Sequence, residues 1–121
     1  MSRPLLDESR LHPAIRDTVE HLHAEVVHNV QAASMSNAVL VVGMAGNPFC
    51  RRARKALDAA AVPHHYLEYG SYLSQWRARL ALKMWSGWPT FPMVFVKGVL
   101  IGGASDLATL IASGELKRLL A

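Results

Sequence analysis

The apolar residues of this chain alternate between runs with strand character and runs with helical spacing. Residues 38–42, AVLVV, are apolar throughout, which is typical of a parallel strand buried on both faces. Residues 13–33 predict a helix, because Pro13 suits a first helical position and apolar residues recur every three or four positions. That stripe consists of Ile15, Val19, Leu22, Val26 and Val30. The pattern therefore predicts a long helix followed by the first strand of a sheet.

Further along, the same reasoning predicts a second strand, a hairpin and four more helices. The helices are predicted over 48–61, 72–85, 104–113 and 115–120. A strand over 64–69 and a hairpin over 93–103 lie between them. The helix over 48–61 has good start signals, with Asn47 as N-cap and Pro48 at the first helical position. Its inward residues are Phe49, Ala53, Ala56, Leu57 and Ala60, and the next helix carries Leu73, Trp76, Leu80 and Met84.

The order of these elements predicts the fold class. A parallel pair of strands with a crossover helix, followed by an antiparallel hairpin, describes an α/β thioredoxin-like sandwich with an extra N-terminal helix. We divide the chain into an N-terminal helical extension, 1–37, that packs on the domain or on a partner, and a domain, 38–121. Thioredoxin-like folds place their chemistry in the turn between the first strand and its helix. Here that turn is GNPFC, 46–50.

Composition narrows the functional classes. The chain has 121 residues, a net charge of +4 and a single cysteine, which excludes an internal disulfide and a zinc site built from two CxxC motifs. No apolar run reaches the ~20 residues of a membrane span, and the N-terminus MSRPLLDESR lacks the apolar region of a signal peptide. We therefore expect a cytoplasmic location and no membrane partner. The histidines of the predicted N-terminal helix never stand four apart, so we expect no metal site.

Basic residues cluster at Arg51, Arg52, Arg54 and Lys55 and again at Arg77, Arg79 and Lys83. A solvated helix face accounts for most of them. An anionic small molecule could also use such a patch, whereas nucleic-acid binding would require interleaved aromatic residues. We therefore expect no nucleic-acid partner.

The segment SGWPTFPMVFVKGVLIGGASDL, 86–107, followed by SGEL, 113–116, resembles the glutaredoxin family. Glutaredoxins carry T-x-P with a cis proline, then strand, turn and strand, then G-G-x-D-D-L. The resemblance covers about residues 38–121 and implies the glutaredoxin form of the thioredoxin-like fold. The monothiol branch of the family is indicated by Arg79, Leu82, Lys83, Ser86, Trp88, Pro89 and Thr90.

Three positions depart from the family pattern. The family's C-P-Y-C or C-G-F-S falls on residues 47–50, so that Asn47 stands where the nucleophilic cysteine is expected. Cys50 stands where dithiol glutaredoxins have their second, more buried cysteine. Met44 stands where glutaredoxins usually place a lysine for a glutathione carboxylate. Ser105 stands where the first acid of G-G-x-D-D is expected.

The resemblance nevertheless implies glutathione as ligand. It implies that the backbone of Phe91, before cis-Pro92, pairs with the cysteinyl part, and that Arg79, assisted by Lys83, binds the glycyl carboxylate. Ser105 and Asp106 would meet the γ-glutamyl end at a helix N-terminus. The remaining predicted glutathione contacts are Asn47, Thr90 and Gly103.

Two interpretations of Cys50 stay open at this point. Near a helix N-terminus and beside Arg51 and Arg54, its pKa is expected to fall, which favours a displaced catalytic thiol. Ala53 and Leu57 share its face, which favours a small buried residue instead.

Three functions follow from the resemblance. The first is a glutathione-linked thiol-disulfide oxidoreductase that uses Cys50 and acts on glutathionylated thiols. The second is a catalytically inactive module that binds glutathione or a peptide. The third is a [2Fe-2S] carrier, which is disfavoured because Asn47 cannot supply the thiolate that a cluster needs, so no iron-sulfur cluster is expected. A protein partner could bind through the N-terminal helix.

Overall fold

A computed structural model of the chain describes residues 3–21 and 23–121. Its helices are α1 (Pro13–Glu20), α2 (Ala24–Ser36), α3 (Pro48–Ala59), α4 (Trp76–Ser86), α5 (Ala104–Ala112) and α6 (Glu115–Leu120). Its strands are β1 (Val39–Gly43), β2 (His65–Glu68), β3 (Met93–Val96) and β4 (Val99–Gly102). The mixed α/β order predicted from the sequence is confirmed from β1 onward.

The sheet has the strand order β2-β1-β3-β4. β1 runs parallel to β2 and antiparallel to β3, and β3 pairs antiparallel with β4. The parallel pair and the hairpin are therefore both as predicted. A register shift between Val94 and Phe95 interrupts the β3–β4 ladder.

Helices cover both faces of this sheet, which explains why β1 is apolar at every position. Leu40 and Val42 pack with residues of α2 and α4, whereas Val39 and Val41 pack with residues of α3, α5 and α6. Successive side chains of a strand point to opposite faces, so β1 contributes to two separate core clusters. The strand thereby fixes the position of the turn that follows it.

The N-terminal part differs from the prediction, because two helices stand in place of the single helix over 13–33. His23 has φ +44°, a left-handed conformation through which a right-handed helix does not continue. Val30 of α2 is fully buried in the core, whereas Ile15 of α1 is exposed. The side chain of Val19 and residue Leu22 lie outside the described residues. The predicted apolar stripe therefore packs through its α2 part.

The fourth helix also differs, because it begins at Trp76 and not at residue 72. Gln75 has φ +55°, which prevents an earlier start. The apolar stripe expected on this helix faces outward, and Leu73 and Trp76 are 97% and 57% exposed. The buried face consists instead of Ala78, Arg79, Ala81 and Leu82.

Candidate functional site

The turn after β1 leads directly into α3, and Asn47 caps that helix. The Asn47 side-chain oxygen Oδ1 accepts hydrogen bonds from the backbone N–H groups of Phe49, at 2.8 Å, and Cys50, at 3.0 Å. Its Nδ2 donates to the Tyr72 hydroxyl at 3.3 Å, and the residue is 8% exposed. A neutral amide oxygen thus occupies the two N–H groups that a helix start can offer to an anion.

Cys50 lies one residue after the exposed Phe49 but faces the opposite way, into the core. It is 1% exposed and packs against the start of the turn and against Tyr66. The approach is close: a Cβ built on Gly43 would lie 2.8 Å from Cys50 Sγ and 3.1 Å from the Tyr66 hydroxyl. The hydrogen at Gly43 therefore leaves room for the thiol.

The expected lowering of the Cys50 pKa is wrong. Burial raises the pKa of the Cys50 thiol, because desolvation disfavours the thiolate, and the negative charge of Glu68 adds to the effect. The Met44 N–H and the Arg54 guanidinium act in the opposite direction without outweighing burial. The Arg54 guanidinium carbon lies 3.9 Å from the centre of the Tyr66 ring, which is a cation–π contact.

A loop and a helix start form a second feature close to Phe49. The loop before β3 contains a cis peptide bond between Phe91 and Pro92, as the resemblance implies. Across from it, α5 begins after Gly103, whose backbone N–H donates to Asp106 Oδ2 at 2.9 Å. The start of this nine-residue helix presents backbone N–H groups and a partial positive charge.

Between the loop and the helix start lies a groove of about 280 Å³. Its lining residues are Phe49, Trp88, Thr90, Phe91, Pro92, Gly103, Ala104, Ser105 and Asp106. Six residues predicted as glutathione contacts from the sequence line this groove: Thr90, Phe91, Pro92, Gly103, Ser105 and Asp106. The structure therefore brings together two segments that are separated by a hairpin in the sequence.

The glutaredoxin family model matches residues 39–101, which include β1, the Asn47 turn and the Phe91–Pro92 loop. The chain belongs to the glutaredoxin family. A glutaredoxin-like protein of Dictyostelium discoideum is 43% identical over 102 residues, which cover 84% of this chain and 83% of that protein. Monothiol glutaredoxin-4 of Schizosaccharomyces pombe is 30% identical over 96 residues, which cover 76% of this chain and 39% of that longer protein.

Solved structures show the same glutaredoxin fold. The crystal structure of a buckwheat glutaredoxin–glutathione complex matches with a TM-score of 0.72 and 24% sequence identity, over 84% of this chain and 92% of that one. The four-stranded mixed sheet and its helices are thus those of a thioredoxin-like glutaredoxin domain, as the sequence predicts.

Three predicted contacts of this glutaredoxin do not line the groove. Asn47 is engaged at the start of α3. Arg79 is 7% exposed, and its Nη1 donates to the backbone oxygens of Tyr69, at 2.9 Å, and Ser74, at 2.6 Å. The guanidinium thus binds the loop between β2 and α4. Lys83 lies closer to the groove residues, with its Nζ 5.8 Å from the centre of the Phe91 ring.

Three lining residues were not predicted as ligand contacts: Phe49, Trp88 and Ala104. Phe49 was expected to point inward but is half exposed at the groove. The available signal was the position of Phe49 directly after the N-cap and the proline. A side chain in the first turn of a helix has no earlier turn to pack on, which favours exposure. Trp88 stands two residues before Thr90, and this spacing to the T-x-P motif was the available signal.

The described parts of the chain contain no group of three or more His, Cys, Asp or Glu residues that could hold a metal ion. Within those same parts, no helix has the length and apolar character needed to cross a bilayer.

Proposed function

We propose that this glutaredoxin binds glutathione, or the glutathionyl part of a glutathionylated thiol, and does not itself perform thiol-disulfide exchange. The observation that carries the proposal is the contrast between the groove and the chain's single thiol. The groove residues are assembled, whereas Cys50 is 1% exposed and is not among the residues that line the groove.

Glutathione binding is supported by the chemistry of the two groove walls. The extended backbone at Phe91 and Pro92 offers hydrogen-bonding groups to a peptide-like ligand. The start of α5 favours a carboxylate through its N–H groups, and the exposed carboxylate of Asp106 favours an ammonium group. The buckwheat glutaredoxin that shares this fold was solved with glutathione. We retain Arg79 and Lys83 as proposed contacts for the glycyl carboxylate, reached through side-chain rearrangement.

The absence of exchange chemistry is supported by two features of the α3 start. Thiol-disulfide exchange requires a thiolate that can reach the disulfide. Asn47, where the resemblance places the nucleophile, has no thiol, and its amide oxygen accepts the N–H groups of the first turn. Cys50 has a thiol whose pKa is raised by burial. An oxidoreductase that uses Cys50 would need the start of α3 to open.

A [2Fe-2S] cluster does not fit this donor set. Such a cluster is held by cysteine thiolates, and an amide at position 47 and a buried thiol at Cys50 supply no accessible thiolate. We also propose a cytoplasmic location, where glutathione keeps thiols reduced. The extension 1–37 remains a proposed binding segment for a protein partner, for which exposed Leu5, Leu6 and Ile15 offer apolar contacts.

Two measurements test the proposal together. Calorimetry with S-methylglutathione, which cannot form a disulfide, should give saturable binding. Asp106→Asn should weaken it about tenfold by removing one charged contact, while the control Asp58→Asn, at an exposed position on α3, should not.

Turnover of the mixed disulfide of glutathione and 2-mercaptoethanol should be absent from both the natural chain and Cys50→Ser. Turnover that disappears in Cys50→Ser would establish that the protein is an oxidoreductase that uses Cys50, and would overturn the proposal. Absence of S-methylglutathione binding would also overturn the proposal, because the groove would then not bind glutathione.

A further inference from the structure

The exposed side of α3 carries a cluster of basic residues that the proposed function does not use. Arg51, Arg52 and Lys55 are exposed, and together with Pro48 and Ala56 they line a shallow depression of about 480 Å³. Within the described parts of the chain, no carboxylate lies within ion-pair distance of these three basic side chains. We call Arg51, Arg52 and Lys55 the basic face of α3.

The charges of α3 oppose the stability of the helix. Because of the helix dipole, acidic residues are favourable near the N-terminal end and basic residues near the C-terminal end. The first turn of α3 has no acidic residue and its last turn no basic residue, and the basic face precedes Asp58 in the last turn. Arg51 and Lys55 also repel each other at a spacing of four residues.

The acid that could compensate for these charges is engaged elsewhere. Asp58 stands three residues after Lys55, but its Oδ1 lies 4.0 Å from His64 Nε2, and no ion pair joins it to Lys55. Arg54, the other basic residue of α3, contacts the Tyr66 ring. A charge pattern that weakens its own helix without a compensating contact is expected where a surface serves binding.

The basic face adjoins the groove through Phe49. The Arg52 guanidinium carbon lies 5.2 Å from the centre of the Phe49 ring, and Phe49 lines the groove. This cation–π contact places the guanidinium beside the groove wall. Lys55 follows Phe49 by six residues, about 9 Å along the helix axis, which about three residues of an extended chain can span. A polypeptide attached to a ligand in the groove can therefore reach the whole basic face.

The spacing of the basic face indicates an acidic polypeptide as its partner. Arg51 and Lys55 are about 6 Å apart along the helix axis, and alternate residues of an extended chain point to one side at intervals of about 6.6 Å. Carboxylates at alternate positions therefore match both cations. A nucleic acid matches less well, because the described residues that line the depression include no aromatic side chain on which a base could stack.

We propose that the basic face of α3 docks an extended acidic segment of the protein whose glutathionyl group occupies the groove. This inference rests on the proposed glutathione binding and names the class of partner. The groove binds the glutathionyl part that all glutathionylated proteins share. The basic face selects those partners that carry acidic residues at alternate positions close to the modified cysteine.

The test uses two conjugates that differ only in charge. Alkylation of glutathione by the chloroacetylated peptide amides Gly-Glu-Ala-Glu-Ala-Glu and Gly-Gln-Ala-Gln-Ala-Gln gives stable thioethers. Their binding is measured by calorimetry on the natural chain, on Arg51→Gln/Lys55→Gln and on the control Lys97→Gln/Lys117→Gln, which also loses two positive charges. Arg52 is kept, because its contact with Phe49 could alter the groove.

The control residues lie away from the start of α3. Lys97 is exposed in the hairpin turn, where its backbone N–H donates to the Ala38 oxygen at 2.8 Å, just before β1 begins. That turn is at the opposite end of β1 from α3. Lys117 is exposed on α6.

At low ionic strength, the natural chain should bind the Glu conjugate about three- to tenfold more tightly than the Gln conjugate. The difference should shrink in 0.5 M NaCl, because salt screens exposed charges. Arg51→Gln/Lys55→Gln should bind the two conjugates within about twofold of each other, and the control should keep the difference. All three proteins should bind S-methylglutathione within about twofold, and the melting temperature of Arg51→Gln/Lys55→Gln should not fall.

Equal affinities of the natural chain for the two conjugates, or an equal loss in the control, would overturn the inference while binding of S-methylglutathione upholds the proposed function. Absence of S-methylglutathione binding would overturn both. A lower melting temperature of Arg51→Gln/Lys55→Gln would mean that these charges serve the fold, and would also count against the inference. Tighter binding of a 12-nucleotide single-stranded DNA than of the Glu conjugate would assign the basic face to nucleic acid instead. If the double variant does not fold, the salt dependence of the natural chain decides.

Discussion

Replacing Asn47 by cysteine should create a reactive thiol at a site where the natural chain has none. The experiment uses Asn47→Cys in a Cys50→Ser background, so that the introduced thiol is the only one in the protein. The Asn47 oxygen now lies 2.8 and 3.0 Å from the N–H groups of Phe49 and residue 50. A thiolate on the same Cβ would accept from those two donors.

The size of the effect follows from these two hydrogen bonds and from the helix start. A hydrogen bond to a charged group contributes roughly 1.5–3 kcal/mol, and a charge at a helix N-terminus gains roughly 0.3–2 kcal/mol. Burial opposes the charge, and we take the net stabilisation as about 2–3 kcal/mol. Since one pKa unit corresponds to about 1.36 kcal/mol, the thiol pKa should fall from about 8.5 to about 6–7. At pH 7 the thiolate fraction would then rise from about 3% to at least about half.

The assay is the rate of alkylation by iodoacetamide as a function of pH, together with the absorbance of the thiolate at 240 nm. A matched control is Ser36→Cys in the same Cys50→Ser background. Ser36 is exposed at the C-terminal end of α2, where its hydroxyl donates to the Ala32 backbone oxygen and the helix dipole favours the protonated thiol. The introduced thiol should titrate near pH 6–7 in the first variant and at or above about 8.5 in the second.

Equal pKa values in the two variants would refute the reasoning, because they would mean that the N–H groups at the α3 start do not stabilise a thiolate. A low pKa without turnover of the glutathione mixed disulfide would leave the electrostatic reasoning intact. It would mean that glutathione is not positioned for attack by the thiol at position 47.

Three further predictions concern stability. Arg79→Ala should lower the free energy of unfolding in urea by about 1.5–3 kcal/mol, because two backbone oxygens lose a charged donor. The control Arg77→Ala, at an exposed position, should change it by no more than about 0.5 kcal/mol. Calorimetry on Arg79→Ala also checks the proposed glutathione contact of this residue. Gly43→Ala should lower the free energy of unfolding by about 1–3 kcal/mol, because the new methyl group would overlap Cys50 Sγ, and by clearly less in a Cys50→Ala background. Additive losses in a double-mutant cycle would argue against that contact. The Cys50 pKa is higher in the folded than in the unfolded chain. The contribution of the protonated thiol to the free energy of unfolding should therefore be fully present below about pH 9 and be lost as the pH rises above it. Cys50→Ala should show a shallower decline, and identical pH profiles would contradict the raised pKa.

The sheet could be predicted because its signals are local. β1 is apolar at every position, the hairpin has a Lys97-Gly98 turn, and α3 has a strong cap and proline. The helix breaks at His23 and Gln75 could not be predicted in this way. Both residues adopt left-handed conformations without being glycine, so no glycine in the sequence marks either break.

The candidate site could be predicted where its residues lie on one short motif, and less well where a side chain has a choice of partners. The cis-proline loop and the α5 start enter the groove through backbone geometry, so their residues follow from the motif. Arg79 has a long side chain, and the backbone oxygens of Tyr69 and Ser74 are close enough to accept hydrogen bonds from it. Nothing in the spacing along the chain distinguishes these oxygens from a ligand carboxylate. The pKa of Cys50 was missed for a related reason, since nearby arginines are visible in the sequence but burial is not.

The residue at position 47 decides how the start of α3 is used, because the two backbone N–H groups at the start of this helix can donate to only one acceptor at a time. With Asn47 they stabilise the fold at every pH, an effect of about 0.5–2 kcal/mol for a helix cap. With a thiol, the same donors would stabilise a thiolate, and the acid would have a lower pKa in the folded chain than in the unfolded one. Its contribution to stability would then be present above the unfolded pKa, near 8.5, and would be lost as the pH falls through the folded pKa of about 6–7. A helix start that carries asparagine is therefore suited to a permanently folded binding groove, whereas one that carries cysteine couples fold stability to the charge of a reactive group.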